Sequence, residues 1–447
     1  MQRVALSRAA ESGAAPEERP LSLSERVMWR LNEGSPMNCC AIAGVRGAMS
    51  FERLRWALDV VQRRHPLLQM RVAVEDARPF FRRGAPALPL RTLEVGAGGW
   101  VAEVERELAT PFDTEKGPLA RCVWLHHGDS HWHLLLSYHH VLGDAMSGVL
   151  VARDVVHAAG TGQAPPELHD SVPLEARLPA AEQGWSGTRG RLRVLLGLAA
   201  RRMRLGTPLL VQSDDAAPPH ERRPRLTPHT FDAGLTEALV SRARAERTTV
   251  QAALLAATGL GMLRDARAHR PLPLTLITTV TLRNLLEPPV GPDDVGFFVG
   301  TLQYWRRIGP DAPLWELARA IRSEMASDLA ARIPTLSAPL LHLIYRMSGG
   351  ERVSPRELTR RWVKLNSVSA GVTNLGRLSM QTRMGELELE ELNVTGALSS
   401  SFLCAASTLN ERLHLNFAWA EPTLHEEHAT RLFSGIVDIL GHAVRTA

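Results

Sequence analysis

The pattern of apolar and polar positions is clearest between residues 131 and 156, where three elements follow one another. His131 to Tyr138 begins with alternating polarity and continues into an uninterrupted apolar run, which is typical of a buried strand. Apolar residues between Met146 and Val156 recur at helical spacing, so a helix follows the strand. The short loop that joins them, residues 139–144, therefore lies at the end of a rigid strand.

The rest of the chain shows the same alternation of strand-like and helix-like segments. Helical spacing predicts further helices at 21–31, 51–64, 100–108, 235–245, 250–264, 315–331 and 426–444. Strand-like patterns lie at 37–45, 70–74, 121–125, 272–281 and 412–419. We therefore expect a mixed α/β protein.

Two segments rich in Gly, Pro and polar residues, 160–173 and 214–228, interrupt this rhythm, and such composition is typical of loops. A chain of 447 residues is long enough for two cores. We predict a first domain at residues 1–175, a linker at 176–228 and a second domain at 229–447.

Length, charge and cysteine content exclude several classes of protein. A net charge of +5 is small for 447 residues and does not argue for a nucleic-acid partner. The four cysteines show no metal or disulfide spacing, which favours a reducing cytoplasm. No apolar run approaches the ~20 residues of a membrane span. The first 20 residues are polar and mixed in charge, which indicates a loose arm and not a signal peptide.

A basic amphipathic helix is predicted inside the linker, at residues 189–205. Three interpretations remain open for it. It is a solvated helix lying across the two domains, a membrane-surface helix that serves a lipidic substrate, or a docking patch for an acidic carrier protein.

The loop at 139–144 carries the candidate chemistry, His139, His140 and Asp144. Histidine exchanges a proton near neutral pH because its free pKa is about 6.5. Two structural histidines at a strand end are the simpler interpretation. A metal site is a weaker alternative, because His131 and His133 lie close by but no Cys/His spacing of a closed zinc site accompanies them.

The sequence HHVLGDA at residues 139–145 resembles the HHxxxDG signature of the condensation-domain and CoA-dependent acyltransferase superfamily, with Ala145 in place of the glycine. Other segments resemble family elements in the expected order. These are Arg64, His65 and Arg71 (RHxxLR type), PFDTEKGPL at 111–119 (PFDxxxGPL), Arg283 in a VxxR-like element, VGFFVGTL at 295–302 (GxFxNTL, with Gly300 for asparagine) and TNLG at 373–376 (SNxG).

The resemblance implies two chloramphenicol-acetyltransferase-like domains in a V-shaped pseudo-dimer, with a tunnel between them and the histidine loop halfway along it. It groups His140, Asp144 and His139 as the catalytic motif. His140 is the expected general base, whereas His139 packs and donates or accepts hydrogen bonds. Asp144 is expected to pair with Arg283, whose fork-shaped guanidinium suits a two-bond grip on a carboxylate.

The resemblance also implies that Ala145, Thr373, Asn374 and Gly376 line the substrate site. If the family glycine at position 145 supplies a backbone N–H to the oxyanion, alanine keeps that donor. If that glycine has a positive φ, alanine costs about 1 kcal/mol.

The chain resembles free-standing acyltransferases such as the mycocerosyl and alcohol-acetyl transferases. A CoA or carrier-protein thioester is the expected donor, a hydroxyl or amine of a natural-product or lipid intermediate is the acceptor, and no cofactor is tightly bound. The NxPGP-like segment of wax-ester synthases does not match residues 373–376. The alternative is a catalytically silent condensation-like protein that binds a partner or a product.

Overall fold

A computed structural model describes residues 18–96, 98–128, 130–170, 172–366, 368–396 and 402–445. The predicted N-terminal arm lies outside these ranges except for its last residues, which form a strand. The first half contains β1 (Glu18–Pro20), α1 (Leu23–Gly34), β2 (Cys39–Arg46), α2 (Phe51–Arg64), β3 (Met70–Glu75), β4 (Arg78–Arg83), β5 (Leu90–Glu94), α3 (Trp100–Ala109), β6 (Ala120–His126), β7 (His131–Tyr138) and α4 (Ala145–Thr161).

The second half begins with the basic helix of the linker and continues to the last described residue. Its elements are α5 (Gly184–Leu205), β8 (Arg223–Phe231), α6 (Ala233–Ala245), α7 (Val250–Asp265), β9 (Leu272–Thr281), β10 (Val299–Ile308), α8 (Leu314–Ala330), α9 (Ile333–Ser337), α10 (Leu340–Met347), α11 (Pro355–Leu365), β11 (Ala370–Arg377), β12 (Arg383–Met384), β13 (Leu387–Gly396), β14 (Phe402–Leu409), β15 (Arg412–Glu421) and α12 (Glu426–Arg445).

Serine side chains cap the first two helices. Ser22 caps α1 in a capping box with Glu25, and Ser50 caps α2. Each serine oxygen accepts a backbone N–H that the first turn of a helix leaves without a partner. The strand, loop and helix predicted around residues 131–156 are confirmed.

Two six-stranded sheets form the framework, in the orders β12-β13-β2-β7-β6-β5 and β10-β9-β11-β14-β15-β8. We call the first sheet with its helices the first lobe and the second sheet with its helices the second lobe. Strand β13 comes late in the chain but pairs antiparallel with β2, with Thr395 opposite Cys40. The second half of the chain thus contributes two strands to the first lobe. The predicted domain boundaries at residues 175 and 228 stay a prediction. They do not account for the two strands that the second half of the chain adds to the first lobe.

Each lobe has its own apolar core. In the first lobe, α2 and α4 cover one sheet face, and this core includes Leu134, Leu136 and Val149. In the second lobe, α7 and α12 pack on the sheet through residues such as Leu255 and Phe433. Within the described ranges, no helix is long and apolar enough to cross a bilayer. The loop after β7 leaves the first core in the direction of the second lobe.

A buried ionic network fastens α2 to α4 and reaches the loop that precedes β10. Asp154 accepts hydrogen bonds from Arg64 Nε at 2.7 Å and from Arg153 Nη2 at 2.6 Å, and it lies 2.9 Å from His65 Nε2. Both arginines also contact Asp293. Burial on its own raises the pKa of Asp154, but His65 and Arg153 bring it down to about 2. His65 thus serves this network, and not merely the end of helix α2.

We expect Asp154→Asn to lower the free energy of unfolding by about 3–5 kcal/mol near neutral pH, because it leaves buried positive charge without its partner. The depressed pKa adds stability above the unfolded value of about 4, and this contribution is lost as the pH falls through about 2. Urea unfolding near pH 7 and at progressively lower pH measures the difference from wild type, which should shrink in acid.

Asp293→Asn is the matched control, because the Asp293 side chain is more exposed and its ion pairs are worth less. A difference between wild type and Asp154→Asn that stayed constant from neutral to acidic pH would contradict the proposed charge network.

Candidate active site

The loop His139–Asp144 is held at both ends by regular structure. Strand β7 ends at Tyr138, and helix α4 begins at Ala145 with Asp144 as its N-cap. The Tyr138 hydroxyl donates to the Asp144 carbonyl at 3.0 Å. A Cβ on Gly143 would lie 2.6 Å from the Ser147 side chain and 3.2 Å from the Gly296 carbonyl. The loop therefore needs glycine at position 143 because helix and second lobe both approach it closely.

His140 is half-buried, and its orientation is set by its own loop. Its Nδ1 lies 2.9 Å from the Gly143 carbonyl oxygen. A carbonyl only accepts hydrogen bonds, so in the neutral ring Nδ1 carries the proton and Nε2 is the nitrogen that can take up another. The ring meets Phe297 edge-to-face, with centroids 5.4 Å apart. One side of the imidazole therefore contacts the second lobe.

The thiol of Cys39 is an unexpected neighbour of His140. Cys39 begins β2 and lies opposite Tyr138 in the sheet. Burial alone lowers the pKa of His140, but the Cys39 thiol, the Gly143 carbonyl and Asp144 raise it to about 9. His140 thus keeps its proton at neutral pH in the free protein. No sequence motif indicates this contact, because it depends on the pairing of β2 with β7.

His139 occupies a different environment from that of its neighbour. It is buried, and its Nδ1 accepts the Val141 backbone N–H at 3.0 Å. Burial and the neighbouring His140 lower the pKa of His139 to about 3. Phe112, from the segment at 111–119, meets the ring edge-on with centroids 6.3 Å apart. His139 is therefore a neutral ring that holds the loop, and it is not placed to exchange protons near neutral pH.

Asp144 is buried and fully used as a hydrogen-bond acceptor. Its Oδ1 accepts the Ser147 backbone N–H and the Ser147 hydroxyl, each at 2.9 Å. Its Oδ2 accepts the Phe298 backbone N–H at 3.1 Å, and its own N–H donates to the Gly296 carbonyl at 3.2 Å. The same carboxylate thus caps α4 and anchors the segment that leads into β10.

Arg283 reaches the motif, but its grip differs from the expected two-bond fork. Its Nη2 lies 3.5 Å from Asp144 Oδ1, whereas Nη1 donates to the Asp294 carbonyl at 2.6 Å. Its guanidinium also lies 5.0 Å from the centroid of the Phe298 ring. The expected Asp144–Arg283 ion pair is present as this single contact, and a second parallel hydrogen bond does not form because the Asp144 oxygens are already engaged by Ser147 and Phe298. The Arg283 side chain instead braces the 294–298 segment.

Ser147 is a site residue that the motif did not single out. Its hydroxyl oxygen lies 2.9 Å from both Asp144 Oδ1 and the Gly296 carbonyl oxygen, so its one proton serves one of these acceptors at a time, and it accepts the Gly296 N–H at 3.1 Å. The signal was available, because Asp144 and Ser147 have the N-cap to N3 spacing of a helix start. Its second-lobe partner, however, is visible only in three dimensions.

Ala145 fits its position without strain. It is the first residue of α4, and its φ is not among the positive values of this chain. The backbone therefore does not require glycine here, and the cost of about 1 kcal/mol considered for alanine does not arise. The Ala145 methyl group packs against the first core.

Thr373, Asn374 and Gly376 lie on β11 of the second lobe. The Thr373 hydroxyl contacts that of Thr279 on β9, and Asn374 Oδ1 accepts the Gly376 N–H at 2.8 Å. Since β11 and β9 run parallel, these residues share the sheet end from which the chain proceeds to Arg283. One lone pair of the Asn374 oxygen is thus used by its own turn.

The largest of three cavities lies away from the histidine loop. It has a volume of about 950 Å³ and is lined by residues of the second lobe that include Arg264, Trp315 and Asp438. None of these cavities is bordered by His140, so the tunnel past His140 stays a prediction. Across the described ranges, no group of three or more His, Cys, Asp or Glu side chains is arranged to hold a metal ion.

The raised pKa of His140 leads to a prediction about pH dependence. A general-base role for His140 would require its neutral form, so kcat/KM of such a reaction should rise with pH up to about 9. Cys39→Ala removes one of the interactions that raise this pKa, so the rise should move to lower pH. Rates measured across pH for wild type and Cys39→Ala provide the test, with Cys122→Ala as a control at another buried cysteine. Identical profiles for wild type and Cys39→Ala would show that the thiol has no influence on His140.

Two protein-family models match this chain, one in each half. A family model described as the condensation domain matches residues 26–171. A second, the phthiocerol/phthiodiolone dimycocerosyl transferase C-terminus, matches residues 220–417. The first match contains the histidine motif, and the second contains Arg283 and the 373–376 segment.

The curated relatives are large synthetases. Phosphinothricin tripeptide synthetase from Streptomyces viridochromogenes is 27% identical over 334 residues, which are 70% of this chain and 30% of that protein. A nonribosomal peptide synthetase from Curvularia clavata is 24% identical over 379 residues, 82% of this chain and 3% of that protein. The chain thus spans less than a third of the length of these relatives.

Several solved structures share the fold over nearly the whole chain. Polyketide synthase associated protein 5 from Mycobacterium tuberculosis has a TM-score of 0.67 at 18% identity, covering 96% of this chain and 98% of that one. The first condensation domain of the calcium-dependent antibiotic synthetase has a TM-score of 0.72 at 15% identity, covering 97% of both chains. Trichothecene 15-O-acetyltransferase from Fusarium sporotrichioides has a TM-score of 0.72 at 14% identity, also covering 97% of both. These likenesses confirm the mixed α/β fold of two chloramphenicol-acetyltransferase-like domains.

Proposed function

We propose an acyl-transfer reaction for this chain, since it belongs to the condensation-domain and acyltransferase superfamily. The acyl group moves from a CoA or carrier-protein thioester to a hydroxyl or amine of a natural-product or lipid intermediate. The observation that carries the proposal is the orientation of His140, whose Nδ1–H is held by the Gly143 carbonyl, so that Nε2 is the nitrogen that would act as the base.

In the proposed reaction, Nε2 of neutral His140 removes the proton from the acceptor as its oxygen or nitrogen attacks the thioester carbon. The tetrahedral intermediate carries the negative charge on the former carbonyl oxygen. The C–S bond then breaks, and the departing thiolate takes the proton back from His140. Thioesters are reactive acyl donors, so alignment of the two substrates supplies much of the rate.

The start of helix α4 is suited to stabilise the oxyanion. The N–H groups of Ala145 and Met146 belong to the first turn and have no carbonyl partner inside the helix. The positive end of the helix dipole points in the same direction. Alanine at position 145 keeps this donor, which supports activity despite the departure from the family glycine.

The proposal includes the compartment and the co-substrates. The four cysteines are free and buried, which fits the cytoplasmic location inferred from the sequence. No tightly bound cofactor is needed, because the thioester itself carries the acyl group. Thr373, Asn374 and Gly376, at the end of β11, are proposed to line the acceptor side.

A second candidate is a silent protein that binds a product or a partner. One observation favours it: His140 retains its proton at neutral pH. Release of free thiol from acyl-CoA and acyl-pantetheine donors, with and without hydroxyl and amine acceptors, separates the two functions. Acceptor-dependent release supports acyl transfer, whereas its absence with every donor and at every pH up to about 9 supports the silent protein.

A further inference from the structure

Helix α5 presents apolar side chains to solvent, which is unusual for a helix on a protein surface. Four of them are well exposed: Trp185 by 85%, Leu192 by 54%, Leu196 by 61% and Met203 by 81%. At 100° per residue these positions fall on one face of the helix. We call these four residues the outer stripe, which extends for about 27 Å at 1.5 Å per residue.

The opposite face of α5 is already used to attach the helix to the second lobe. Val194 is buried beneath it, and a Cβ on Gly190 would lie 2.7 Å from the Leu336 side chain. Arg201 lies 3.2 Å from Glu324 and 3.7 Å from Asp328 of α8. The exposure of the outer stripe therefore does not come from missing packing against the core, because α5 packs on the second lobe through its other side.

The charge around the outer stripe has one sign. The segment 184–205 contains six arginines and no acidic residue. Arg189, Arg193 and Arg204 are exposed and, in the part of the chain that the structure describes, form no ion pair. Helical spacing places these three along one flank of the stripe. Long basic side chains beside an apolar stripe can reach a negative surface while the stripe enters an apolar phase.

We propose that the outer stripe of α5 docks the protein on the surface of an anionic lipid bilayer. Tryptophan, leucine and methionine enter the boundary between headgroups and acyl chains, and the flanking arginines contact lipid phosphates. A straight apolar line with basic flanks matches a flat, negatively charged surface.

The test is co-sedimentation of the full chain with vesicles, without substrate, so its outcome is independent of catalysis. One set of vesicles contains phosphatidylcholine alone, and the other contains about one third phosphatidylglycerol. Wild type should bind the anionic set at least about tenfold more strongly, and salt should weaken this binding. Equal or absent binding to both sets would overturn the proposal.

Two groups of variants separate the apolar and charged contributions. Replacing the outer stripe by serine (Trp185→Ser, Leu192→Ser, Leu196→Ser, Met203→Ser) should abolish binding to anionic vesicles. Replacing Arg189, Arg193 and Arg204 by glutamine should lower binding by about fivefold per arginine. The control is Trp56→Ser with Val74→Ser, two exposed apolar residues of the first lobe, which should bind like wild type.

Thermal unfolding checks that each variant is folded, and the exposed positions predict little change in the midpoint. Size-exclusion chromatography tests the alternative that the outer stripe binds a second copy of this chain. If wild type does not bind vesicles but self-associates, and the serine variant of the outer stripe is monomeric, the stripe is a protein interface and the lipid proposal fails.

Discussion

Replacing His140 by alanine or asparagine is expected to lower kcat/KM for acyl transfer by about 10²–10⁴-fold, the usual contribution of a positioned general base. The asparagine variant gives the more specific test of the two. Its side-chain amide can still donate to the Gly143 carbonyl, as Nδ1 does now at 2.9 Å, but it has no basic nitrogen in place of Nε2. A loss shared by both variants therefore reports proton transfer and not the shape of the loop.

His131→Ala is the matched control for this prediction. His131 lies at the exposed start of the same strand and should leave the rate unchanged. Initial rates of thiol release at several pH values give kcat/KM, and unfolding in urea confirms that each variant is folded. An asparagine variant that kept half or more of the wild-type rate would exclude His140 as the base and return attention to the silent alternative.

The local part of the site could be predicted from the sequence. A strand, a loop with glycine and a helix start are encoded by consecutive residues, so their order around His140 follows from hydrophobic spacing and capping. The same local logic extends to Ser147, which lies three residues after the cap. Which of two adjacent histidines is buried is not local information, because it depends on Phe112 and Cys39.

The arrangement of the strands could not be predicted to the same extent. Residues 387–396 were not among the predicted strands, and the local sequence carries no information about which sheet a strand joins. Strand β13 joins the first sheet by pairing with β2, many residues earlier in the chain. The family matches support the overall fold, yet the pairing itself is a property of the folded structure.

The orientation of the basic helix could not be predicted from the sequence either. Its spacing predicted a helix with an apolar and a basic side, and the structure confirms the helix at Gly184–Leu205. An apolar stripe would ordinarily be assigned to the core. Only the packing on α8 and α9 reveals that four large apolar side chains face outward.

The contacts of Asp144 lead to a prediction of a large effect on stability. Asp144→Ala should lower the free energy of unfolding by about 3–5 kcal/mol, because it leaves the N–H groups of Ser147 and Phe298 without an acceptor and removes the carboxylate beside the Arg283 guanidinium. Arg283→Ala should cost about 1.5–3 kcal/mol, since Asp144 retains its three hydrogen bonds.

A double-mutant cycle measures how strongly the two residues depend on each other. Urea unfolding of Asp144→Ala, Arg283→Ala and the double variant gives their coupling energy. The single contact of 3.5 Å predicts a coupling below about 1 kcal/mol, a value typical of weak ion pairs. A coupling as large as the cost of Arg283→Ala would instead show that the carboxylate and guanidinium form a tight pair in solution.

Because Asp144 also caps α4, the two residues should differ in catalysis as well. Losing the aspartate disturbs the helix start that we propose to stabilise the oxyanion, whereas losing the arginine mainly loosens the 294–298 segment.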